Sequence, residues 1–158
     1  AGAITHIAAL GSALRQLEFA RAVRRRGARR VSAGTYARAV YGEADAVRAL
    51  LAAADFFFLN ENEARGLFGA VEGARARPGQ IIFVTLAERG ALVVTEAATT
   101  PAPGRPAPEV DPTGAGDVFC GATLAGLSAG LEAVTAARRA LPLAARHVTA
   151  IGPAALLG

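Results

Sequence analysis

Two aspartates and two glycines lie within seven consecutive residues, Asp111–Asp117, of sequence DPTGAGD. Pro112 cannot continue a strand, and Gly114 and Gly116 allow the backbone to turn tightly. Small and apolar residues then continue from Ala115 to about Leu127 without a proline, which predicts a buried helix. The pattern therefore predicts a glycine turn that opens onto a helix N-terminus.

The start of such a helix supports two kinds of chemistry. Its first backbone N–H groups lack intrahelical acceptors and carry partial positive charge, so they can hold a phosphate oxyanion. Asp117 falls in the first helical turn, where its carboxylate could accept a proton from an alcohol. A plainer interpretation stays open, because glycine turns before helices are common and a first-turn aspartate often only compensates the helix dipole.

A second group of polar residues, Asn60-Glu61-Asn62-Glu63, follows the apolar segment Asp55–Leu59. Asparagine at a strand end often caps the next helix, and a glutamate three residues later can complete a capping box. Capping alone accounts for Asn60 and Glu63. A single carboxylate is also sufficient for Mg²⁺, which keeps several of its waters when it binds through substrate phosphates.

The remaining chain supplies the elements that position these residues. Apolar runs predict strands at residues 4–10, 31–33, 55–59, 81–86 and 91–95, and the intervening patterns predict helices at residues 13–26, 43–54, 64–68, 115–127, 131–141 and 143–150. We expect a loop at residues 34–38, a stiff extended connection at residues 99–108 and a helix break at Pro142. Alternating strands and helices indicate an α/β sheet, whose ligand-binding loops would face one crevice at the carboxyl ends of the strands.

Composition limits the class of protein. Hydrophobic residues make up 53% of the 158 residues, which argues for one well-packed domain and against disorder. No apolar run is long enough to cross a membrane, and no signal peptide is evident, so we expect a cytoplasmic protein. The net charge is +4 and the densest basic cluster, residues 24–30, ends a predicted helix, so we expect no nucleic-acid partner. Cys120 is the one cysteine, which excludes an internal disulfide.

The segment Asp111–Asp117 resembles the C-terminal signature of the ribokinase-like (PfkB) family of sugar and nucleoside kinases, Asp-[Thr/Ser/Pro]-Thr-Gly-Ala-Gly-Asp. In that family the Gly-Ala-Gly-Asp amides form an anion hole for the transferred phosphoryl group. The last aspartate of the signature is the general base on the acceptor hydroxyl. The resemblance therefore implies catalytic roles for Asp117 and for the amides of Gly114, Ala115 and Gly116.

Other segments extend the resemblance in the same chain order. Asn60 and Glu63 match the family's Asn-x-x-Glu motif, which orders the Mg²⁺–phosphate region, with the glutamate acting largely through water. Asp111 and Thr113 match positions that line a monovalent-cation site. The family's Thr-Leu-Gly-x-x-Gly loop binds nucleotide phosphates and ribose, and it implies nucleotide contacts along Thr85, Leu86, Ala87, Glu88, Arg89 and Gly90, with Gly116 adding to them.

Ala87 departs from the family pattern, which has glycine at this position. If the position requires a positive φ or a close approach of the backbone to phosphate, alanine costs about 1 kcal/mol or more. We therefore expect weakened nucleotide binding.

The resemblance implies a three-layer α/β/α fold with a mostly parallel sheet, ribokinase-like, lacking the family's N-terminal strands and lid. Residues 1–158 are then expected to form a single, incomplete domain, the C-terminal portion of a ribokinase-like kinase domain. The implied function is ATP-dependent transfer of the γ-phosphoryl group to a hydroxyl of a sugar or nucleoside, with ATP and Mg²⁺ and with K⁺ as a further candidate.

An alternative stays open beside this function: a non-catalytic fragment that folds or forms a homo-oligomer and binds phosphate or nucleotide without turnover. A dinucleotide-dependent oxidoreductase requires Gly-x-Gly-x-x-Gly directly after the first strand. The segment Leu10-Gly11-Ser12-Ala13 does not supply it.

Overall fold

The computed structural model of the chain describes residues 2–104, 107–108 and 110–149. Its strands are β1 (Thr5–Ile7), β2 (Val31–Gly34), β3 (Phe56–Asn60), β4 (Ile81–Thr85), β5 (Gly90–Val94) and β6 (Thr99–Pro103). Its α-helices are α1 (Ala13–Arg25), α2 (Ala37–Gly42), α3 (Ala44–Ala53), α4 (Glu61–Phe68), α5 (Ala115–Ser128) and α6 (Ala133–His147). Short 3₁₀ turns lie at Val71–Gly73 and Ala87–Arg89.

The six strands form one mostly parallel sheet in the order β1-β2-β3-β4-β5-β6. β2 pairs in parallel with both β1 and β3, with Ala33 opposite Ile7 on one side and Phe57 on the other. β4 and β5 are separated by only four residues, and so are β5 and β6. A parallel crossover needs a dozen or more residues, so these two connections are hairpins. The expected α/β fold with a mostly parallel sheet is confirmed.

Strand β3 shows why these segments become buried strands. Four consecutive residues, Phe56–Leu59, are buried, as expected for a strand covered on both faces. In β4, Ile82, Phe83 and Val84 are fully buried, and Phe83 stacks on Phe58 with ring centroids 4.7 Å apart. Aromatic and β-branched side chains pack well on such a pleated surface.

Two compact units divide the chain. We call residues 3–84 and 94–99 the N-terminal unit, and residues 85–93 with those from 100 onward the C-terminal unit. In the N-terminal unit, Gln16 is fully buried and its side-chain amide donates to the carbonyls of Ala8 and Gly34, both at 2.8 Å. Asp55 forms an ion pair with Arg24. In the C-terminal unit, α5 and α6 pack against each other, and Ala136, Ala137 and Ala140 are buried.

Four expectations about secondary structure are wrong. The strand expected at residues 4–10 is limited to Thr5–Ile7, and residues 8–10 are exposed. A single helix, α6, runs through Pro142, where we expected a break between two helices; Ala150, the expected end of the second, lies outside the described residues. Residues 99–103 of the expected connection form strand β6, which ends the sheet order. Proline is tolerated on such an edge strand. Residues 37–38, expected in a loop, begin helix α2.

Among the described residues, no helix has the length and apolarity that a bilayer crossing requires.

Candidate active site

Helix α5 begins in the glycine turn that the sequence predicts. Gly114 is the residue before the helix and adopts the left-handed conformation, with φ +84° and ψ −3°. The turn is closed by local hydrogen bonds: the Thr113 amide donates to Asp111 Oδ1 at 2.9 Å, and the Ala115 amide donates to the Pro112 carbonyl at 3.2 Å. No side chain caps the start of the helix.

Three backbone amides at this helix start have no acceptor among the described residues. The described residues offer no carbonyl or side chain to the N–H groups of Gly114, Gly116 and Asp117, and the first intrahelical bond is that of Val118 to the Gly114 carbonyl, at 2.9 Å. A Cβ built on Gly116 would meet no atom within 4 Å. The helix start is therefore open and presents unpaired donors of the kind that bind oxyanions.

Asp117 lies in the first turn of α5 and is exposed to solvent. One turn further, Cys120 is 7% exposed. Burial, with a smaller contribution from the Asp117 charge, raises the pKa of the Cys120 thiol to about 12. Because the thiolate is the nucleophile, Cys120 is an inert core residue. Asp117 is the group in this turn that can accept a proton.

A cavity of about 220 Å³ lies beside the helix start, within the C-terminal unit. It is lined mostly by small and apolar side chains, and Glu88 is the one ionisable residue among the described residues in its wall. Six of the predicted site residues line it: Thr85, Ala87, Glu88, Gly90, Ala115 and Gly116. Leu86, Arg89, Gly114 and Asp117 are not in its lining. The cavity is apolar with a few polar groups, as small-molecule sites are.

The turn between β4 and β5 forms part of this cavity and is strained at one residue. Ala87 has φ +52° and is the one non-glycine residue with positive φ among those that the structure describes. Gly90 has φ +97°, and a Cβ there would collide with the Ala102 carbonyl and the Gly104 amide. Gly90 is therefore required by close backbone packing against the end of β6. A positive φ is the condition under which we expected alanine at position 87 to cost stability, and the structure shows a positive φ there.

Asn60 and Glu63 form the capping box of α4, in the N-terminal unit. The backbone amide of Glu63 donates to Asn60 Oδ1 at 2.9 Å, and the backbone amide of Asn60 donates to Glu63 Oε2 at 2.8 Å. Glu63 is 5% exposed, and burial raises the pKa of its carboxyl group, partly offset by the hydrogen bonds from Asn60. Glu63 Oε1 makes no hydrogen bond within the described part of the chain. The capping interpretation is confirmed, and the metal-ordering role stays a prediction.

The residues suggested for metal binding are divided between the two units: Asn60 and Glu63 lie in the N-terminal unit, and Asp111 and Thr113 lie in the C-terminal unit. No group of three or more His, Cys, Asp and Glu residues able to hold a metal occurs in residues 2–104, 107–108 and 110–149. Asp111 uses Oδ1 to close the turn at Thr113. A divalent ion here would therefore take most of its ligands from phosphate oxygens and water, which suits Mg²⁺.

Sequence reasoning missed His147, in the last turn of α6. Its Nε2 lies 2.7 Å from the Thr113 carbonyl oxygen, next to the glycine turn. Residues 147 and 113 are far apart in the chain, and no local pattern relates them. The sequence does contain one signal for His147: the other residues that α6 buries are alanines, so a histidine on that face needs a polar partner.

Comparison with solved structures identifies the fold. A fructokinase from Vibrio cholerae O395, solved with fructose, ADP and a calcium ion, matches with a TM-score of 0.81 at 25% identity; 96% of this chain and 56% of the fructokinase are covered. A nucleoside kinase from Burkholderia thailandensis, solved with inosine, matches with a TM-score of 0.80 at 22% identity; 95% of this chain and 51% of that kinase are covered.

An adenosine kinase from Schistosoma mansoni, in complex with 2-fluoroadenosine, matches at 16% identity with a TM-score of 0.80, covering 94% of this chain and 51% of its own. The chain thus spans about half the length of the kinases that it matches. No curated protein sequence matches it. The model of the pfkB family of carbohydrate kinases matches residues 3–157. The glycine turn, the nucleotide-loop pattern and the sheet thus occur together in a chain that belongs to the pfkB carbohydrate kinase family.

Proposed function

We propose that this chain carries the phosphoryl-transfer half of an ATP-dependent kinase that acts on a hydroxyl of a sugar or nucleoside. The observation that carries the proposal is the start of α5, where the Gly114, Gly116 and Asp117 amides have no acceptor within the described residues and the Asp117 carboxylate lies in the same turn. Membership in the pfkB family supports the reaction class. The fructose and inosine bound to the related kinases support the acceptor class.

In this mechanism Asp117 is the general base. Its exposed carboxylate would accept the proton of the acceptor hydroxyl as the oxygen attacks the γ-phosphorus of ATP, while the bond from that phosphorus to the bridging oxygen breaks and ADP leaves. The amides of Gly114 and Gly116 donate to the equatorial oxygens of the migrating group, where negative charge develops. Ala115 was expected to contribute as well, but its amide already donates to the Pro112 carbonyl at 3.2 Å, so we assign it the weakest share.

We assign part of the nucleotide to the cavity beside the helix start. Gly116 lies on its wall and leaves open the space that a Cβ would fill, which suits a phosphate placed against backbone amides. Thr85, Ala87, Glu88 and Gly90 line the same cavity and are the donor-side contacts that we propose. At about 220 Å³ the cavity takes part of a nucleotide, since pockets that enclose a drug-sized ligand begin near 300 Å³.

The metal ion would neutralise charge on the nucleotide phosphates. Glu63 fits a water-mediated role, because Oε2 is used by the capping box and Oε1 remains able to accept a hydrogen bond from a metal-bound water. Asn60 holds Glu63 in that position. Asp111 and Thr113, in the turn before α5, are the proposed contacts of a monovalent cation such as K⁺.

A second candidate function is binding of phosphate or nucleotide without turnover. It requires only an open helix start and a cavity beside it, and both lie in the C-terminal unit. The open helix start and the cavity serve this function equally well, since neither depends on an acceptor molecule.

One experiment separates the two functions. ATP consumption is measured over a panel of sugars and nucleosides with Mg²⁺ and K⁺, and ADP binding is measured by calorimetry on the same preparation. The proposed kinase predicts consumption that depends on one class of acceptor. ADP binding without consumption on any acceptor supports the second function, and absence of both contradicts the two.

A further inference from the structure

His147 is buried at the end of α6 and contacts the turn that precedes α5. It is 7% exposed, and its Nε2 lies 2.7 Å from the Thr113 carbonyl oxygen. A carbonyl oxygen only accepts, so Nε2 carries the hydrogen and donates it. The ring also touches the next residue, because a Cβ built on Gly114 would lie 3.1 Å from Nε2.

A second contact comes from the neighbouring residue. The Val148 carbonyl accepts hydrogen bonds from the amides of Val110, at 2.7 Å, and Asp111, at 3.1 Å. Together with His147, the end of α6 therefore makes three hydrogen bonds to residues 110–113. The end of α6 therefore holds the backbone of the segment that precedes α5.

The bond from His147 bears directly on the free amides. In a helix extended by one residue, the Asp117 amide would donate to the carbonyl four residues earlier, that of Thr113. That carbonyl is instead bonded to His147, and the Asp117 amide has no acceptor among the described residues. A carbonyl can accept two hydrogen bonds, so His147 does not block this one by itself. It holds the Thr113 carbonyl outside the helix, and the left-handed Gly114 separates that carbonyl from the Asp117 amide.

The other ring nitrogen indicates that the contact is not simply good packing. His147 Nδ1 is buried and has no hydrogen-bond partner in the described residues. Leaving a buried polar atom unsatisfied costs about 1–3 kcal/mol, and native proteins contain few such atoms. Within the described residues, the hydrogen bond that the imidazole makes is therefore the one from Nε2 to Thr113.

We propose that His147 is a positioning residue for the phosphoryl site: it holds the Thr113 carbonyl and thereby keeps the first amides of α5 free and fixed for an oxyanion. Its effect on phosphoryl transfer rests on the proposed function. Its effect on the turn does not, because the hydrogen bond to Thr113 exists without any substrate.

The test compares His147→Phe, which keeps the ring and removes the donor, with His147→Gln, which keeps an N–H donor. His6→Phe is the matched control, because His6 is the other histidine and lies in the N-terminal unit. Amide hydrogen exchange is followed by NMR. We expect the Asp117 amide to exchange about tenfold more slowly in His147→Phe, because the released turn can extend the helix by one residue and bring the Thr113 carbonyl to this amide. His147→Gln and His6→Phe should resemble the unaltered chain.

Kinetics give a second readout where the preparation turns over. We expect kcat to fall about tenfold in His147→Phe with KM for ATP little changed, because a displaced anion hole weakens the transition state more than the ground state. His147→Gln should recover most of kcat. Equal exchange at residues 113–117 and equal kcat in His147→Phe and His6→Phe would overturn the proposal.

A measurement on the unaltered chain covers the case in which the variants do not fold. Long-range ¹⁵N–¹H NMR of the imidazole should show hydrogen on Nε2 and a bare Nδ1. Hydrogen on Nδ1 with a bare Nε2 would also overturn the proposal. Failure of the proposed function is distinguishable, since it would appear as absence of ATP consumption with the exchange and tautomer results intact.

Discussion

Helices α4 and α5 begin in opposite ways. At the start of α4 the Asn60 side chain accepts from the Glu63 amide, and the Glu63 carboxylate accepts from the Asn60 amide. At the start of α5 the residue before the helix is Gly114, which has no side chain to offer, and the amides of Gly116 and Asp117 have no acceptor among the described residues. The capping box gives acceptors to two backbone amides at the start of α4, whereas the described residues provide no such cap at the start of α5.

This difference is the one expected between a structural helix start and the oxyanion-binding start that we propose for α5. A capped N-terminus gains about 1 kcal/mol from its side-chain bonds and has fewer donors left for a ligand. An uncapped N-terminus gives up that stabilisation and keeps its donors and its positive end of the helix dipole. Glu63 and Asp117 are both first-turn carboxylates, yet Glu63 is 5% exposed and engaged in the cap, whereas Asp117 is exposed.

The largest expected effect is on kcat, and it distinguishes the first-turn carboxylate of α5 from a first-turn carboxylate of α4. We expect Asp117→Asn to lower kcat about 10²–10⁴-fold, the usual contribution of a general base. Glu61→Gln, in the first turn of α4, is the matched control and should change kcat less than about twofold, since surface ion pairs contribute little. The measurement is ATP consumption by an active preparation. Full kcat in Asp117→Asn would remove that residue from the mechanism.

A smaller effect, on the free energy of unfolding and on phosphate affinity, distinguishes Asn60 before α4 from Gly114 before α5. Asn60→Ala should lower the free energy of unfolding by about 1 kcal/mol through loss of the cap. Gly114→Ala should lower it by about 1–2 kcal/mol, because φ is +84° and the new Cβ lies 3.1 Å from His147 Nε2. Urea denaturation measures both changes, and phosphate affinity should fall only in Gly114→Ala. Equal loss of phosphate affinity in both variants would contradict the claim that α5, and not α4, begins at a phosphate-binding site.

Ala87 has a positive φ, as Gly114 does, although it is not glycine. We expect Ala87→Gly to raise the free energy of unfolding by about 0.5–1 kcal/mol through release of strain at φ +52°. Ala125→Gly, at an exposed position inside α5, should lower it by a similar amount. Thermal denaturation of the two variants tests this, and destabilisation by Ala87→Gly is the contrary outcome.

The smallest expected effect is a pH slope at the α4 cap. Because burial raises the pKa of Glu63, the folded chain holds this proton more tightly than the unfolded chain does. The resulting stabilisation is fully present below about pH 4.5, the ordinary value, and is lost as the pH rises through the raised pKa. Glutamine preserves the capping geometry without titrating. The unfolding free energy of the unaltered chain, relative to Glu63→Gln, should therefore fall with rising pH; a flat difference contradicts this.

Local patterns were sufficient for much of this molecule. The run Phe56–Leu59 gave a buried strand, the Asn60–Glu63 spacing gave a capping box, and the glycines before Ala115 gave the turn and the start of α5. Each is decided by residues that are neighbours in the chain. The family signature lies in the same local segments, which is why the pfkB family was evident from the sequence.

Long-range packing accounts for what the sequence did not show. Pro142 removes one helical hydrogen bond, but α6 continues through it because the helix packs along α5. Pro101 and Pro103 argue against a central strand, yet β6 accommodates them at the edge of the sheet. His147 contacts Thr113 across 34 residues, and only the packed structure relates the two.

The most direct test of the account is a titration of the ¹⁵N-labelled chain with inorganic phosphate at constant ionic strength. We expect the amides of Gly114, Gly116 and Asp117 to shift and saturate together, while those of Glu61 and Asn62, at the start of α4, stay in place. Saturable shifts at both helix starts, or none at the start of α5, would contradict the claim that α5 begins as an oxyanion site.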